Sequence, residues 1–446
     1  MYNFYGRYFF RMLLQKSVLG DNLSLSSITT DKFKTGLLSF SVTLENDRLI
    51  SPYALLLTEL LQRATVSYPK KSLIQRKLDE LYSASVSIRC LKTGNNRIFN
   101  FSAEILDNGY TTDDTDVAGE ICRVLYELML CPLLDENGLF DKECVEQEKR
   151  RVVTYLKSAI NNPSRYATIR LSEMLRRDDD NLMTLEEMID AVEKCDAKAL
   201  TDFYRDSLVG RPIEAFYIGS LTKEQIGARI VDALPSLSVR KEIIMPRCSV
   251  YPIREVLKKE EDMPISQGRL CLGFRSDVMP DSEDYYAMVI FNELFGGSPA
   301  SKLFMNVRER MSLCYSCASY YNPTTGSVRV NSGISPQNRE IAESAILEEF
   351  KNIQSGKISE RELACAKNAV ANSYREIYDC PGDIASFYLN RKIFGVNCTI
   401  EECREKFSKI SADDVVRVAN KITLDSVYFL RATGAPSDEI QEEDDE

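Results

Sequence analysis

The chain of 446 residues contains no histidine. Neutral imidazole is the most common protein ligand for transition metals and the usual general base near neutral pH. Its absence excludes a Ser-His-Asp triad, a Cys-His pair and every zinc motif that includes histidine. Any chemistry carried out by this chain must therefore depend on other side chains.

The chain also lacks an excess of positive charge and a long apolar run. Its formal net charge is −11, whereas nucleic-acid binding needs clustered cations, so we expect no nucleic-acid partner. The apolar stretch at residues 8–14 is interrupted by Arg11, and it is far shorter than the ~20 residues of a membrane helix. No small-residue cleavage site follows it, so we expect neither a signal peptide nor a membrane partner.

Thirteen scattered cysteines, an odd number, do not form the framework of a small disulfide-rich domain. They predict reduced thiols and a cytoplasmic protein. Cys314 and Cys317 have the C-x-x-C spacing of redox and zinc sites. They fall in a predicted strand, where positions three apart face opposite sides. We therefore interpret them as core cysteines.

The length predicts two or three domains, and the apolar fraction of 44% is ample for their cores. We expect an N-terminal domain over residues 1–221, a linker over 222–266 that is rich in proline and charge, and a C-terminal domain over 267–435. Residues 436–446 form an acidic stretch that we expect to be a disordered tail.

The two halves of the chain repeat each other at a nearly constant offset. Glu59 and Glu293 lie near the ends of similar apolar helical runs 234 positions apart, and Tyr82 and Tyr315 follow 233 positions apart. Later matches keep their order and include a lysine placed 14 residues before a proline: Lys149 with Pro163, and Lys367 with Pro381. Matches in the same order favour an internal duplication.

Hydrophobic periodicity gives each half strands, two helices, a hairpin, a long helical section and a final strand. The predicted strands are 36–44, 83–90, 97–106, 213–221 and 427–433. The predicted helices are 53–64, 70–81, 115–130 and 143–159. Hairpins mixed with helices indicate an α+β fold with helices packed on mainly antiparallel sheets.

Residues 295–316 resemble the C-terminal motif of the M16 metallopeptidases, the family of insulinase, pitrilysin and mitochondrial processing peptidase. The matching features are a Gly-rich helix end, a Leu-Phe pair, an Arg-Glu pair and a Leu-x-Tyr-Ser step. Residues 32–35 and 78–85 are most similar to the inactive bacterial members, the YmfF-like proteins. The resemblance covers residues 25–435 and implies two duplicated LuxS/MPP-like domains arranged as a clamshell.

Active members of this family carry an inverted zinc motif, H-x-x-E-H, on the helix equivalent to 53–64. The spacing places two imidazoles on one helix face and the catalytic carboxylate beside them. The equivalent positions here are Leu55, Thr58 and Glu59, and the resemblance implies Glu146 as the distal ligand position. Because Leu55 cannot ligate and Thr58 cannot act as the base, we expect no zinc and no cofactor. Weak metal binding by Glu59 and Glu146 stays open as an alternative.

The resemblance also implies a substrate-binding pair, Arg308 and Tyr315, seven residues apart. In the family these side chains hydrogen-bond the substrate backbone and polarise the scissile carbonyl. A fixed guanidinium fork and a phenol suit these functions. The alternative interpretations are a surface cation and a half-buried aromatic of a strand.

The resemblance implies a catalytically inactive subunit that pairs with an active M16 homologue and helps to enclose a peptide or protein substrate. One alternative is a binding scaffold that has no role in proteolysis. Another is a peptidase with a serine, threonine or lysine nucleophile, although no spacing in the sequence singles out such a residue.

Overall fold

The computed structural model describes residues 13–234, 251–252 and 254–434. The predicted tail at 436–446 lies outside the described residues, as do residues 235–250 of the predicted linker. None of the helices within the described ranges is both long and apolar enough to cross a membrane.

The described chain alternates between strands and helices. The strands are β1 Gln15–Gly20, β2 Leu23–Thr29, β3 Thr35–Glu45, β4 Ser85–Thr93, β5 Asn96–Leu106, β6 Ile213–Gly219, β7 Leu257–Met263, β8 Gly268–Arg275, β9 Cys314–Asn322, β10 Ser327–Ile334 and β11 Thr423–Ala432. The helices are α1 Ile50–Leu60, α2 Lys71–Glu80, α3 Val117–Leu130, α4 Lys142–Ser158, α5 Pro163–Leu175, α6 Leu185–Lys194, α7 Ala197–Ser207, α8 Lys223–Ala233, α9 Tyr285–Asn292, α10 Arg339–Gln354, α11 Glu360–Glu376, α12 Pro381–Ile393, α13 Ile400–Lys409 and α14 Ala412–Ala419. Two segments with π-type turns, Glu293–Gly297 and Leu303–Arg310, follow α9.

The two sheets share a five-strand plan, as the predicted duplication requires, and the first sheet adds β1 at one edge. The first has the order β1-β2-β6-β3-β5-β4 and the second the order β7-β11-β8-β10-β9. In each sheet the final strand of the repeat lies parallel to one neighbour, β2 or β7, and antiparallel to the other, β3 or β8. The α+β fold with two mainly antiparallel sheets is confirmed.

The described residues form two compact units, and each unit includes a segment from the other half of the chain. The first unit comprises the described residues within Met1–Val153, Glu187–Pro246 and Asp379–Leu389. The second comprises those within Thr154–Glu186, Arg247–Tyr378 and Asn390–Glu446. Helix α5 therefore belongs to the second unit although it lies in the N-terminal half.

In the first unit, β3 is the central strand and is buried on both faces. Its Leu38, Phe40 and Val42 side chains are fully enclosed, as is Ser39 on the opposite face. Helix α3 packs on β5 and α8, while α1 packs on β4 and α7. The β4–β5 hairpin turns at Gly94, whose φ of 57° suits glycine. The hairpin expected between the predicted strands 83–90 and 97–106 is confirmed.

In the second unit, helices pack on both faces of the sheet. Phe274 of β8 lies 5.0 Å from Phe350 of α10, ring centroid to ring centroid, in an aromatic cluster on one face. Helix α5 covers the other face, and a Cβ atom at Gly273 of β8 would lie 2.9 Å from Leu175 of α5. The glycine therefore allows the helix to approach the sheet closely.

The predicted elements of the N-terminal half correspond to β3, β4, β5, β6, α1, α2, α3 and α4, with ends that differ by a few residues. The predicted linker at 222–266 contains α8 and β7. The domain boundaries at 221, 266 and 435 stay a prediction.

Candidate functional site

Helix α1 carries the three positions that the family resemblance assigns to the zinc motif. Leu55 is partly buried, and Thr58 is buried with 8% of its surface exposed. The Thr58 hydroxyl donates to the carbonyl oxygen of Ala54 at 2.9 Å, so its hydrogen is used within its own helix. Glu59 is the one ionisable group of the three, and 41% of its side chain is exposed.

An ion-pair cluster connects helix α4 to the end of α1. It comprises Glu59, Arg63, Glu148 and Arg151. Its centre is Glu148, whose side chain is 2% exposed. Arg63 donates to one oxygen of Glu148 at 2.7 Å, and Arg151 donates to the other at 3.0 Å. Arg151 also lies 3.4 Å from Glu59. Two guanidinium groups therefore neutralise the two carboxylates.

Glu146 is not a member of this ion-pair cluster. Its side chain is 42% exposed and accepts a hydrogen bond from Lys149 at 2.9 Å. Glu59 and Glu146 thus have separate cationic partners, Arg151 and Lys149. Their assignment as remnants of a metal site stays a prediction.

The residues at this site do not fit a zinc ion. Zinc needs three or four nitrogen, sulfur or carboxylate ligands that converge on one point. Leu55 offers no donor atom, and both oxygens of Glu148 already bind arginines. Across the described residues, no group of three or more cysteine, aspartate or glutamate side chains is arranged to hold a metal. The cations that balance the carboxylates here belong to the protein itself.

In the second unit, Arg308 lies in the helical segment Leu303–Arg310. Its guanidinium carbon lies 4.5 Å from the ring centroid of Phe304, one turn earlier. Its Nε lies 3.7 Å from a carboxylate oxygen of Glu309, and 38% of its side chain is exposed. The aromatic ring therefore positions the guanidinium while leaving donors free to face solvent.

Tyr315 lies on β9, an edge strand of the second sheet. It is 69% exposed, the largest value among the exposed aromatic residues of the described chain. Within the described part of the chain β9 pairs with β10 alone, so its outer edge has unpaired backbone groups. The exposed phenol and the unpaired edge thus lie side by side.

A β-bulge at Tyr315 corrects the prediction that Cys314 and Cys317 face opposite sides. Ser316 pairs with Gly333, whereas Cys314 pairs with Ile334, so Tyr315 is an extra residue. The extra residue restores both cysteines to one buried face of the strand. A hydrogen bond from Cys317, together with Ser332 and the charge of Arg308, lowers the pKa of Cys314. Arg308 therefore acts electrostatically on the residue next to Tyr315.

Gly296 sets the distance between β9 and the helical segments. A Cβ atom at this position would lie 2.6 Å from the backbone nitrogen of Ser319 on β9. The Ser319 hydroxyl in turn donates to Asn292 Oδ1 at 2.9 Å. The Gly-rich helix end found in the sequence is therefore a close-approach site that places the strand beside Arg308.

Exposed apolar side chains also occur close to Arg308 and Tyr315 in the sequence. Met305 and Met311 are 50% and 44% exposed, and Tyr320, farther along β9, is 54% exposed. Methionine and tyrosine adapt to varied apolar partners. We call Met305, Arg308, Met311, Tyr315 and Tyr320 the β9 surface.

The sequence pointed to Glu59, Arg308 and Tyr315 but missed Glu148, Arg63 and Arg151. Arg63 and Glu148 are 85 positions apart and meet only in the fold. The one available signal was the i, i+3 spacing of Glu148 and Arg151, which many solvated helices share.

Two comparisons of the sequence with known proteins find the same group of proteins. The family described as "Peptidase M16 inactive domain" matches residues 194–370. A Bacillus subtilis (strain 168) protein named "Probable inactive metalloprotease YmfF" is 30% identical over 420 residues, which cover 93% of this chain and 97% of the relative.

Solved structures show the same fold. A conserved protein from Enterococcus faecalis V583 superposes with a TM-score of 0.84 and 27% identity, over 96% of this chain and 100% of that one. A peptidase M16 inactive domain from Pseudomonas fluorescens gives a TM-score of 0.73 at 16% identity, over 95% of this chain and 99% of that one.

Proposed function

The chain belongs to the peptidase M16 family, as an inactive member without the histidines of the zinc motif, and on that premise we propose its function. We propose that it is a non-catalytic subunit that pairs with an active, zinc-containing M16 homologue. In this pair it helps to enclose and bind a peptide or protein substrate.

The observation that carries the proposal is the contrast between the two candidate sites. At the positions assigned to the metal, Leu55 and Thr58 offer no ionisable donor, and Glu59 and Glu146 are paired with Arg151 and Lys149. At the β9 surface, Arg308 and Tyr315 stay exposed beside an unpaired strand edge. Binding groups without a metal site are what a substrate-holding partner of a peptidase requires.

The chemistry of the β9 surface suits an extended peptide. Unpaired backbone groups of β9 can hydrogen-bond a peptide main chain whatever its sequence. Arg308 can donate to a peptide carbonyl through its planar fork. The Tyr315 phenol can donate to a carbonyl oxygen as negative charge develops on it. Zinc and the attacking water would come from the partner, so this chain contributes binding and polarisation.

We also propose a cytoplasmic location. The cysteines of the described chain are free thiols, and seven of them are buried: Cys122, Cys195, Cys271, Cys314, Cys317, Cys398 and Cys403. Reduced thiols in this number suit a reducing compartment.

Co-purification from the native host tests the partnership. We expect an M16 protein with an intact H-x-x-E-H motif to copurify, and the mixture to cleave an unstructured peptide in a chelator-sensitive way. The isolated chain should show no such cleavage with or without zinc. Zinc-stimulated turnover by the pure chain would refute the proposal, and an unrelated partner would instead favour the scaffold alternative.

Substitution of Arg308 by Ala, or of Tyr315 by Phe, tests the site in the assembled pair. We expect kcat/KM to fall about 10-fold to 100-fold in each variant, since each change removes a donor to the reacting carbonyl. Size-exclusion chromatography should show that the pair stays assembled. Arg310→Ala on the same helix and Tyr110→Phe in the first unit, both exposed, are the matched controls. Unchanged turnover in both test variants would show that the site is assigned incorrectly.

A further inference from the structure

Two cysteine thiols meet at the start of α13. The helix begins with a capping box in which Thr399 and Glu402 exchange side-chain and backbone hydrogen bonds. Cys398 precedes the cap and Cys403 is the fourth helical residue, and these are the positions that pack together in a hydrophobic staple. Their sulfur atoms lie 2.8 Å apart. Helix capping therefore holds the two thiols in contact.

The groups around this pair are polar and cationic. The Tyr286 hydroxyl lies 3.5 Å from the sulfur of Cys398 and 3.9 Å from that of Cys403. Arg391 Nη1 lies 3.5 Å from the same hydroxyl, and the Lys406 amine lies 5.0 Å from the Tyr286 ring centroid. An ordinary apolar staple needs none of these groups, whereas a thiolate is stabilised by all of them.

The two thiols differ in their readiness to ionise. A hydrogen bond from Cys403, assisted by Tyr286, Arg391 and Lys406, lowers the pKa of Cys398 to about 6. The same hydrogen bond, together with burial, raises the pKa of Cys403. Cys398 is 8% exposed and Cys403 is fully buried, so the thiolate is also the residue closer to solvent. Cys398 is therefore suited to attack and Cys403 to resolve.

We propose that Cys398 and Cys403 form a redox-active dithiol whose co-reactant is hydrogen peroxide. The Cys398 thiolate attacks one peroxide oxygen, the O–O bond breaks, and the leaving hydroxide takes up a proton to become water. Cys398 is then a sulfenic acid. The Cys403 sulfur attacks the Cys398 sulfur, the S–S bond forms, the S–O bond breaks, and hydroxide leaves with the Cys403 proton as a second water. Two thiols lose two electrons in total, and one peroxide gains them.

For formation of the Cys398–Cys403 disulfide, the contact between the two sulfur atoms matters more than the acidity of Cys398. At pH 7 a thiol with a pKa near 6 is about 90% ionised, against roughly 3% for an ordinary thiol. The thiolate fraction thus rises about 30-fold. A thiolate of lower pKa is also a weaker nucleophile, which reduces the gain in reactivity by roughly 10-fold. Acidity alone thus favours Cys398 only a few-fold, whereas contact with Cys403 gives the sulfenic acid an intramolecular partner that an isolated thiol lacks.

Cys122 and Cys380 can be compared with the Cys398–Cys403 pair. Burial raises the pKa of Cys122 to about 12, and Cys380 is exposed. Neither is in sulfur–sulfur contact with another cysteine in the described structure. Cys314 and Cys317 form the second thiol pair, and a peptide map can distinguish it from the first.

The test uses the full-length chain, treated with one equivalent of hydrogen peroxide, alkylated with N-ethylmaleimide in denaturant and digested without reduction. We expect mass spectrometry to find peptides containing Cys398 and Cys403 linked, two hydrogens lighter than the dithiol, and restored by dithiothreitol. This measurement needs no variant, so a folding defect cannot obscure it. Recovery of both residues as alkylated thiols while Cys380 is oxidised would overturn the proposal.

Cys403→Ala removes the resolving thiol. In this variant we expect dimedone to trap a sulfenic acid on Cys398, with no linked peptide, whereas Cys380→Ala should form the Cys398–Cys403 link as the wild type does. Absence of a dimedone adduct on Cys398 in a folded Cys403→Ala chain would contradict the assigned order of attack.

Discussion

At the residue scale, Glu148 stands out as a carboxylate that is almost fully buried and paired with two arginines. Its two oxygens bind Arg63 and Arg151, both of which reach solvent. Burial of a lone carboxylate costs several kcal/mol, and paired guanidinium groups offset that cost. The ion-pair cluster therefore stabilises the α1–α4 contact with the protein's own cations.

Arg63→Met should destabilise the chain by about 2 kcal/mol, because it leaves the buried Glu148 with Arg151 alone. Arg76→Met is the matched control, since Arg76 pairs with Glu80 across an exposed turn of α2. It should cost less than about 0.5 kcal/mol. Urea unfolding measures both, and equal losses would mean that Arg63 does not support Glu148.

Part of this site was predictable from residue types alone. The lack of histidine alone excluded the zinc motif without any structure, whereas the placing of Leu55 at a ligand position is what the family resemblance implies. The central place of Glu148 was not predictable, because Glu146, Glu148 and Glu143 are all glutamates of one polar helix. Only the fold brings Arg63 to Glu148 and leaves Glu146 with Lys149.

At the element scale, the Gly-rich end of the first helical segment, Glu293–Gly297, fixes the position of β9. Gly296 is buried against the backbone of Ser319, where no side chain fits. Exposed loops can shift to accept a methyl group, but a strand that is hydrogen-bonded to β10 cannot shift freely.

Gly296→Ala should destabilise the second unit by about 2 kcal/mol, since the new Cβ would lie 2.6 Å from a backbone nitrogen. Gly20→Ala, at the end of β1, is the control, because a Cβ added there would have no other atom within 4 Å. Thermal unfolding followed by circular dichroism compares them. A melting temperature in Gly296→Ala equal to that of Gly20→Ala would show that β9 moves easily.

In the N-terminal half, the types and order of β3 to β6 and α1 to α4 followed from periodicity and turn residues, whereas β1 and β2 were not predicted. The hairpin at Gly94 is encoded by a few neighbouring residues. The bulge at Tyr315 has no such local signal, because it arises from pairing with β10. This explains why the orientation of Cys314 relative to Cys317 was wrong in the sequence analysis.

At the scale of the whole molecule, each unit includes a segment from the other half of the chain. Within the second unit, Arg177, just after α5, binds the buried Asp425 of β11 at 2.7 Å, and Tyr166 of α5 donates to Glu261 of β7 at 2.8 Å. Helix α5 is therefore an integral part of the second unit.

A chain that contains only residues 247–446 should fail to fold cooperatively, because it lacks α5 and exposes one face of the second sheet. Residues 154–186 joined to it by a flexible linker should restore a cooperative thermal transition. The same fusion with Leu175→Asp is the control, since it places a charge against Gly273. A cooperative transition in residues 247–446 alone would contradict the assignment of α5 to the second unit.

The duplication was visible in the sequence, and the exchange of segments was not. Matched positions such as Lys149 and Lys367 report an internal repeat, but they are silent about which sheet each helix covers. The apolar face of α5 would suit either sheet by composition. Helix α5 covers the second sheet, where Leu175 packs against Gly273. This close contact is apparent only in three dimensions.

The inclusion of Asp379–Leu389 in the first unit has a consequence for biosynthesis. A ribosome delivers the chain from the N-terminus, and domains generally fold as they emerge. Here the first unit includes a segment that is synthesised more than 300 residues after its earliest strands. Until then the first unit lacks one of its segments, so we expect its folding to finish late in synthesis.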